Sequence, residues 1–122
     1  NTNFWPHYKN NCNYIGLTLH SLNQKIDSGN VFFQSSVKIT KKDTVNSLSC
    51  KAIKNFANKT PDKLSILLKK KFSSKGIKIK IKKKLFLKKD FEPKFIKIAY
   101  RNLRKYLERS EKIKQPKLIN IF

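Results

Sequence analysis

Two residues with the potential for chemistry, His20 and Asp27, stand in one short stretch of the sequence. Asp27 is followed by Ser28 and Gly29, a trio typical of a sharply bent loop, because Asp can bond nearby backbone groups and Gly can adopt positive φ. Such a bend could aim the Asp27 carboxylate out of the edge of a sheet. The plainer alternatives are a turn aspartate bonded to the Ser28 or Gly29 amide, and a hydrogen-bonded structural histidine at position 20.

The stretches on either side of this loop predict the strands that position it. Ile15–Leu22 and Val31–Ile39 are rich in β-branched and aromatic residues, and a polar connection separates them,. We expect them to form neighbouring antiparallel strands. The first residues of the chain predict the end of a helix that buries three aromatic side chains against the sheet, namely Phe4, Trp5 and Tyr8.

Helical patterns dominate the rest of the chain. Asp43 or Thr44 is the expected N-cap of a helix, and Thr60–Asp62 predicts the start of another, because its central Pro fits the first helical turn. Alternating Ile and Lys then predict an extended segment, and the residues after Pro116 predict an irregular tail. The predicted ranges are helices at Thr44–Asn58, Pro61–Phe72 and about Pro93–Glu111, with the extended segment at Ile77–Leu87.

The composition indicates a chain of single-domain length with a strongly basic character. It has 122 residues, and 29 Lys and Arg against 7 Asp and Glu give a formal net charge of +22. This balance is typical of proteins that bind nucleic acid or another polyanion. The alternative is a compositional bias, because Arg, the better partner for phosphate, occurs only at Arg101, Arg104 and Arg109,. Salt-dependent polyanion binding without base specificity is expected in either case.

The cysteines and the apolar runs bear on where the protein works. Cys12 and Cys50 have no C-x-x-C spacing, which predicts reduced thiols in a cytoplasmic protein,. No apolar run approaches the roughly 20 residues that a membrane-spanning helix requires. We therefore expect no membrane partner.

Five motifs taken together resemble one enzyme family. They are F-W-P-H-Y at Phe4–Tyr8, G-L-T-L-H at Gly16–His20, I-D-S-G at Ile26–Gly29, Gln34, and D-T-V-N-S-L at Asp43–Leu48. In this order and spacing they resemble the second half of the catalytic domain of the folate-dependent formyltransferases. That family includes methionyl-tRNA, glycinamide ribonucleotide and sugar N-formyltransferases. The match covers roughly the first half of the chain.

The resemblance implies a fold and a division of the chain. The fold would be α/β, the C-terminal half of a Rossmann-like formyltransferase core with a mixed sheet and flanking helices. Residues 1–72 would be the C-terminal part of the catalytic domain, and residues 73–122 would be a lysine-rich extension of strand and helix.

The resemblance also implies a reaction and its residues. A formyl group would pass from 10-formyltetrahydrofolate to a primary amine, with no metal. Asp27 would orient a catalytic histidine and a water and help to relay the proton, and His20 would be the second catalytic candidate. The loop would border the pterin pocket, and the implied cofactor-binding residues are Leu22, Asn23, Gln24, Lys25, Ile26 and Asp27.

The sequence also departs from the family pattern. The Asn and the His that precede this region in the family are not in the chain, and His7 stands in the wrong place for that motif. Because the chain starts at Asn1 and contains no Met, we interpret it as a fragment. The short C-terminal part favours a sugar or another small amine as substrate, with methionyl-tRNA still open. The alternative from another functional class is a small basic nucleic-acid-binding module.

Overall fold

The computed structural model of the chain describes residues 3–25, 27–69, 75–79, 86–109 and 116–122. Within these ranges the fold is α/β, with one antiparallel pair of strands and three α-helices. The elements are α1 (Phe4–Tyr8), β1 (Gly16–His20), β2 (Val31–Ser36), α2 (Val45–Lys69) and α3 (Lys94–Arg109), with 3₁₀ turns at Cys12–Tyr14 and Lys88–Asp90.

The predicted strand pair is confirmed. β1 and β2 are antiparallel, in a register that runs from Gly16 opposite Ser36 to His20 opposite Val31, with an irregularity between Leu19 and His20. Both strands are shorter than predicted, and the irregularity lies at the end of β1 that leads into the loop. A bulge of this kind turns a side chain away from the regular alternation, and here it falls at His20.

The prediction of an irregular tail after Pro116 is wrong for its last residues. The backbone N–H of Gln34 donates to the Ile119 carbonyl at 2.9 Å, and the N–H of Ile121 donates to the Phe32 carbonyl at 3.2 Å. Asn120 thereby forms an antiparallel bridge with Phe33. The outer edge of β2 carries unpaired N–H and C=O groups that need partners, and the tail supplies them.

The two helices predicted at Thr44–Asn58 and Pro61–Phe72 are a single helix, α2, with Pro61 inside it. The Thr60 hydroxyl does not cap a new helix but donates to the Phe56 carbonyl of the preceding turn at 2.7 Å. Pro61 is exposed, so water can solvate the carbonyl that its missing N–H leaves free,. Leu67, beyond the proline, is 2% exposed, and this burial holds the second half of α2 in line. Residues 70–72 of the prediction lie outside the described ranges.

The N-terminal aromatic residues pack on α3 rather than mainly on the sheet, which corrects the prediction. The Tyr8 and Phe95 rings lie 4.4 Å apart, and Trp5 stacks on Phe86 at 4.1 Å. The side-chain amide of Asn102 on α3 donates to the carbonyls of His7 and Tyr8 at 3.0 Å each. These bonds add side-chain partners at the end of α1, where the His7 carbonyl also accepts from the Asn10 N–H at 3.1 Å,. The buried core joins all three helices and contains Phe4, Cys12, Ile15, Val45, Leu48, Ala52, Ala99, Leu103 and Tyr106.

The later elements agree with the sequence where they are described. Ile77 forms an antiparallel bridge with Val31, but residues 80–85 of the predicted extended segment lie outside the described ranges. α3 confirms the helix predicted from about residue 93, whose last two residues, 110 and 111, are also outside. No helix in the described part of the chain is long and apolar enough to cross a membrane. The division at residue 72 stays a prediction.

Candidate functional site

The loop between β1 and β2, residues 21–30, is closed at its base by a reciprocal pair of hydrogen bonds. The Ser21 N–H donates to the Asn30 carbonyl at 2.9 Å, and the Asn30 N–H donates to the Ser21 hydroxyl oxygen, also at 2.9 Å. Gly29 is required beside this clamp, because a Cβ on it would overlap the carbonyl oxygen of Ser21. The loop is therefore anchored at both ends, although most of its residues are exposed.

The sharp bend of the loop occurs at Asp27 itself. Asp27 has a φ of 53°, the left-handed conformation that Asp and Asn tolerate better than most residues. The sequence predicted that Gly29 would allow the bend through positive φ. In the structure Gly29 instead permits the close approach of two backbone segments, and the strained residue is the one whose carboxylate projects outward.

His20 and Asp27 come together across the loop. Nε2 of His20 lies 3.7 Å from Oδ1 of Asp27, with the two side chains 27% and 61% exposed. The other ring nitrogen, Nδ1, lies 2.8 Å from the Ser21 carbonyl oxygen. A carbonyl oxygen only accepts, so Nδ1 carries a hydrogen and Nε2 is the nitrogen that gains or loses a proton. The proton-exchanging nitrogen thus faces a carboxylate that water can reach.

The alternative of a turn aspartate is not what the described residues show. The structure places no hydrogen bond between the Asp27 carboxylate and the amide of Ser28 or Gly29 in the described part of the loop. The Ser28 hydroxyl is 2.6 Å from Oδ1 of Asn23 and 2.7 Å from the Lys25 carbonyl oxygen. The turn is braced by these groups, which leaves the Asp27 carboxylate to His20 and solvent.

The predicted cofactor-binding residues occupy different positions in the loop. Asn23 is a brace, because its Oδ1 also accepts from the Lys25 N–H at 3.1 Å. Leu22 is 93% exposed. Gln24 and Lys25 are exposed as well, and Ile26 lies outside the described residues. The loop thus presents an apolar side chain and polar groups to the solvent near the His20–Asp27 pair.

His7 lies in a different environment, which the sequence did not predict, because the resemblance gives His7 no role in the reaction. It is fully buried, and its Nδ1 lies 3.5 Å from the sulfur of Cys12. Burial lowers the pKa of His7 to about 4 and raises the pKa of the Cys12 thiol to about 11. Both groups are therefore neutral near pH 7, and the pair is not an activated thiolate. Cys12 and Cys50 are both free thiols.

Asp43 is a structural carboxylate at the start of α2. Its side chain is 4% exposed and accepts hydrogen bonds from the Thr40 N–H and hydroxyl, the Ser47 hydroxyl and the Lys51 ammonium. Burial by itself raises the pKa of Asp43, but these bonds outweigh it and lower the pKa to about 2,. The helix N-cap is Thr44, whose hydroxyl accepts from the Ser47 N–H at 3.0 Å.

The described residues contain no group of three or more His, Cys, Asp or Glu placed to hold a metal ion. Comparison of the chain with protein-family models, with curated proteins and with solved structures finds no match. The formyltransferase resemblance therefore rests on the motif residues alone.

Proposed function

We propose that this chain forms the His20–Asp27 half of a folate-dependent formyltransferase site and acts in formyl transfer to a primary amine. The observation that carries the proposal is the 3.7 Å approach of the two side chains in the loop where the motif resemblance places the site. The proposal includes the finer fold assignment, a Rossmann-like catalytic core of which the described strands and helices would be the C-terminal half. It also includes a cytoplasmic location.

Formyl transfer requires a proton acceptor that is held in position and is exposed to water. The amine nitrogen bonds to the formyl carbon, the bond from that carbon to its original nitrogen breaks, and the amine proton must reach the departing nitrogen. Asp27 is held by its strained backbone, is exposed, and faces Nε2 of His20. A carboxylate and an imidazole in this arrangement can pass a proton through water in either direction.

The loop also has features that fit a flat heterocycle. The formyl donor, 10-formyltetrahydrofolate, would supply an activated formyl group when bound. Leu22, at 93% exposure, would bury its side chain against a ring, and backbone groups of residues 22–24 would bond the ring edge. Asn23 would act indirectly, because its amide oxygen is already engaged in holding the turn.

The proposal requires an oxyanion donor and a second histidine from residues outside this sequence, since the family pattern has an Asn and a His there. The amine substrate is proposed to be a sugar-linked or other small amine, with methionyl-tRNA as the other candidate within the family.

The test is formyl transfer by the protein as encoded, with 10-formyltetrahydrofolate and a panel of amines, followed by mass spectrometry of the products. We expect donor-dependent formylation of one amine class. Asp27→Asn keeps the shape and the left-handed backbone but removes the charge, so turnover should fall about 100-fold or more, as for a positioned acid–base group, with donor affinity little changed. Wild-type turnover in Asp27→Asn would remove the central residue of the proposed site.

A further inference from the structure

The exposed side of α3 carries a row of cations. Lys97, Arg101 and Arg104 are all exposed and, at spacings of four and three residues, lie along one face of the helix,. We refer to these three residues as the basic row. In the described part of the chain no carboxylate forms an ion pair with any of them. Glu92 pairs with Lys94 at 2.6 Å and Asp90 accepts from the Leu87 N–H at 2.7 Å, whereas Glu108, one turn beyond Arg104, is exposed.

An open aromatic pocket adjoins the basic row. Ile96 and Tyr100 lie on the next face of α3, at 44% and 46% exposure. They line a pocket of about 180 Å³ together with Phe4, Val45 and Phe91. Asn46 and Ser49 of α2 also line it, so polar groups stand beside the rings. None of the residues predicted for formyl transfer lines this pocket.

We propose that this face of α3 binds single-stranded nucleic acid, with phosphates along the basic row and a base in the pocket beside Tyr100. Arginine side chains recognise phosphate with paired donors, and aromatic rings next to a basic track are the combination that single-strand binders use. An anionic surface without rings would use the charge of the row but would leave the half-exposed aromatic and apolar side chains unexplained. The proposal does not depend on formyl transfer.

A stacking mode of this kind is sequence-tolerant, because every base has a ring face. It therefore agrees with the expectation that polyanion binding lacks base specificity. The proposal differs from attraction by bulk charge in three ways. It places the nucleic acid on α3, it requires bases, and it predicts a preference for unpaired strands, since paired bases cannot enter the pocket.

The proposal can be tested by fluorescence anisotropy of the complete 122-residue chain with a labelled oligothymidine of about 12 nucleotides, a length in the range of single-strand sites. We expect Arg101→Gln/Arg104→Gln to weaken binding about tenfold or more and to reduce the salt slope by about 1.4, because two phosphate contacts to a single strand are lost. The matched control is Lys54→Gln/Lys59→Gln, which removes the same charge from exposed positions of α2. It should change the affinity by less than about threefold, since distant exposed charges are screened.

Tyr100 provides the second arm of the experiment. Tyr100→Leu should weaken single-strand binding by about fivefold or more, and Tyr100→Phe, which keeps the ring, should restore it. Binding of a duplex of the same length should not respond to Tyr100→Leu. Circular dichroism melting identifies any variant that unfolds, and the single variant Arg104→Gln then replaces the double one.

Three results would overturn the proposal. One is an equal loss of affinity in the Lys54/Lys59 control, which would show that binding follows bulk charge. Another is equal affinity for single strand and duplex, or no effect of Tyr100→Leu. The third is competition by polyglutamate as strong as that by unlabelled oligothymidine, which would point to an acidic protein partner.

Discussion

The two histidines and two of the aspartates occupy contrasting environments, one His and one Asp being buried and the others open to solvent. His7 on α1 is fully buried, and the Asp43 side chain, just before α2, is 4% exposed and accepts four hydrogen bonds. In the β1–β2 loop, His20 is 27% and Asp27 61% exposed, and the two face each other at 3.7 Å. The same residue types thus form a structural set in the core and a solvent-open pair in the loop.

The difference in burial separates the side chains that stabilise the fold from the side chains proposed for formyl transfer. The two buried groups have fixed protonation states near pH 7, because burial keeps His7 neutral and hydrogen bonds keep Asp43 ionised,. A group fixed in this way contributes to folding but cannot exchange a proton during a reaction. The loop pair, in contrast, meets water and is positioned by the backbone conformation of Asp27.

The largest expected effect on stability concerns His7. Its pKa in the folded state, about 4, lies below the usual 6.5, so the unfolded chain binds more protons between these values. The contribution of neutral His7 is therefore fully present above pH 6.5 and is lost as the pH falls to 4, by about 3 kcal/mol,. Urea unfolding at a series of pH values measures this loss.

Two variants isolate the contribution of His7. His7→Gln cannot titrate, so its free energy of unfolding should lose the pH dependence between pH 6.5 and 4. His20→Gln is the matched control, because it removes a histidine from the loop and leaves His7 in place, so the loss of stability that His7 causes should remain. An unchanged slope in His7→Gln would show that another group dominates the acid sensitivity.

Asp43→Asn is expected to cost about 2 kcal/mol, because the neutral amide loses the ion pair with Lys51 and part of the hydrogen bonding,. The carboxylate contributes fully above its usual pKa of 3.8, and the contribution disappears as the pH falls through about 2. Thermal or urea unfolding at pH 7 gives the difference. Asp62→Asn, at an exposed position of α2, is the control and should stay within about 0.5 kcal/mol of the wild type.

Gly29→Ala tests how the base of the loop positions the His20–Asp27 pair. The added Cβ would overlap the Ser21 carbonyl oxygen, so the loop base must shift, at a cost of about 1 kcal/mol. The shift should also displace His20, whose Nδ1 bonds the same carbonyl. The folded variant should therefore lose turnover beyond what the loss of folded protein explains. Ser28→Ala, which leaves the clamp intact, is the comparison, and equal effects of the two variants on turnover would contradict this account.

The sequence predicted the strand pair and its loop because the signals are local. Runs rich in β-branched and aromatic residues mark the strands, and Asp and Gly mark the bend. The sequence could not predict that Asp27 rather than Gly29 takes the positive φ, since both residues allow it and the close approach of Ser21 decides.

The predictions that failed concern contacts between segments that are distant in the sequence. Thr60-Pro61-Asp62 carries a strong local start signal, but packing beyond the proline keeps α2 continuous. The pairing of Ile119 and Ile121 with β2 bridges more than 80 residues, and no local pattern shows it. The burial of His7 follows from the docking of α1 on α3, which the sequence did not indicate either.

The most direct test of the account compares Asp27→Asn with Asp43→Asn in the protein as encoded. Turnover in formyl transfer and the urea midpoint of unfolding are measured for both variants. The account predicts that Asp27→Asn loses about 100-fold in turnover with an unchanged midpoint, and that Asp43→Asn lowers the midpoint while its folded molecules keep near-wild-type turnover. Near-wild-type turnover in Asp27→Asn, or an equal loss of turnover in folded Asp43→Asn, would contradict it.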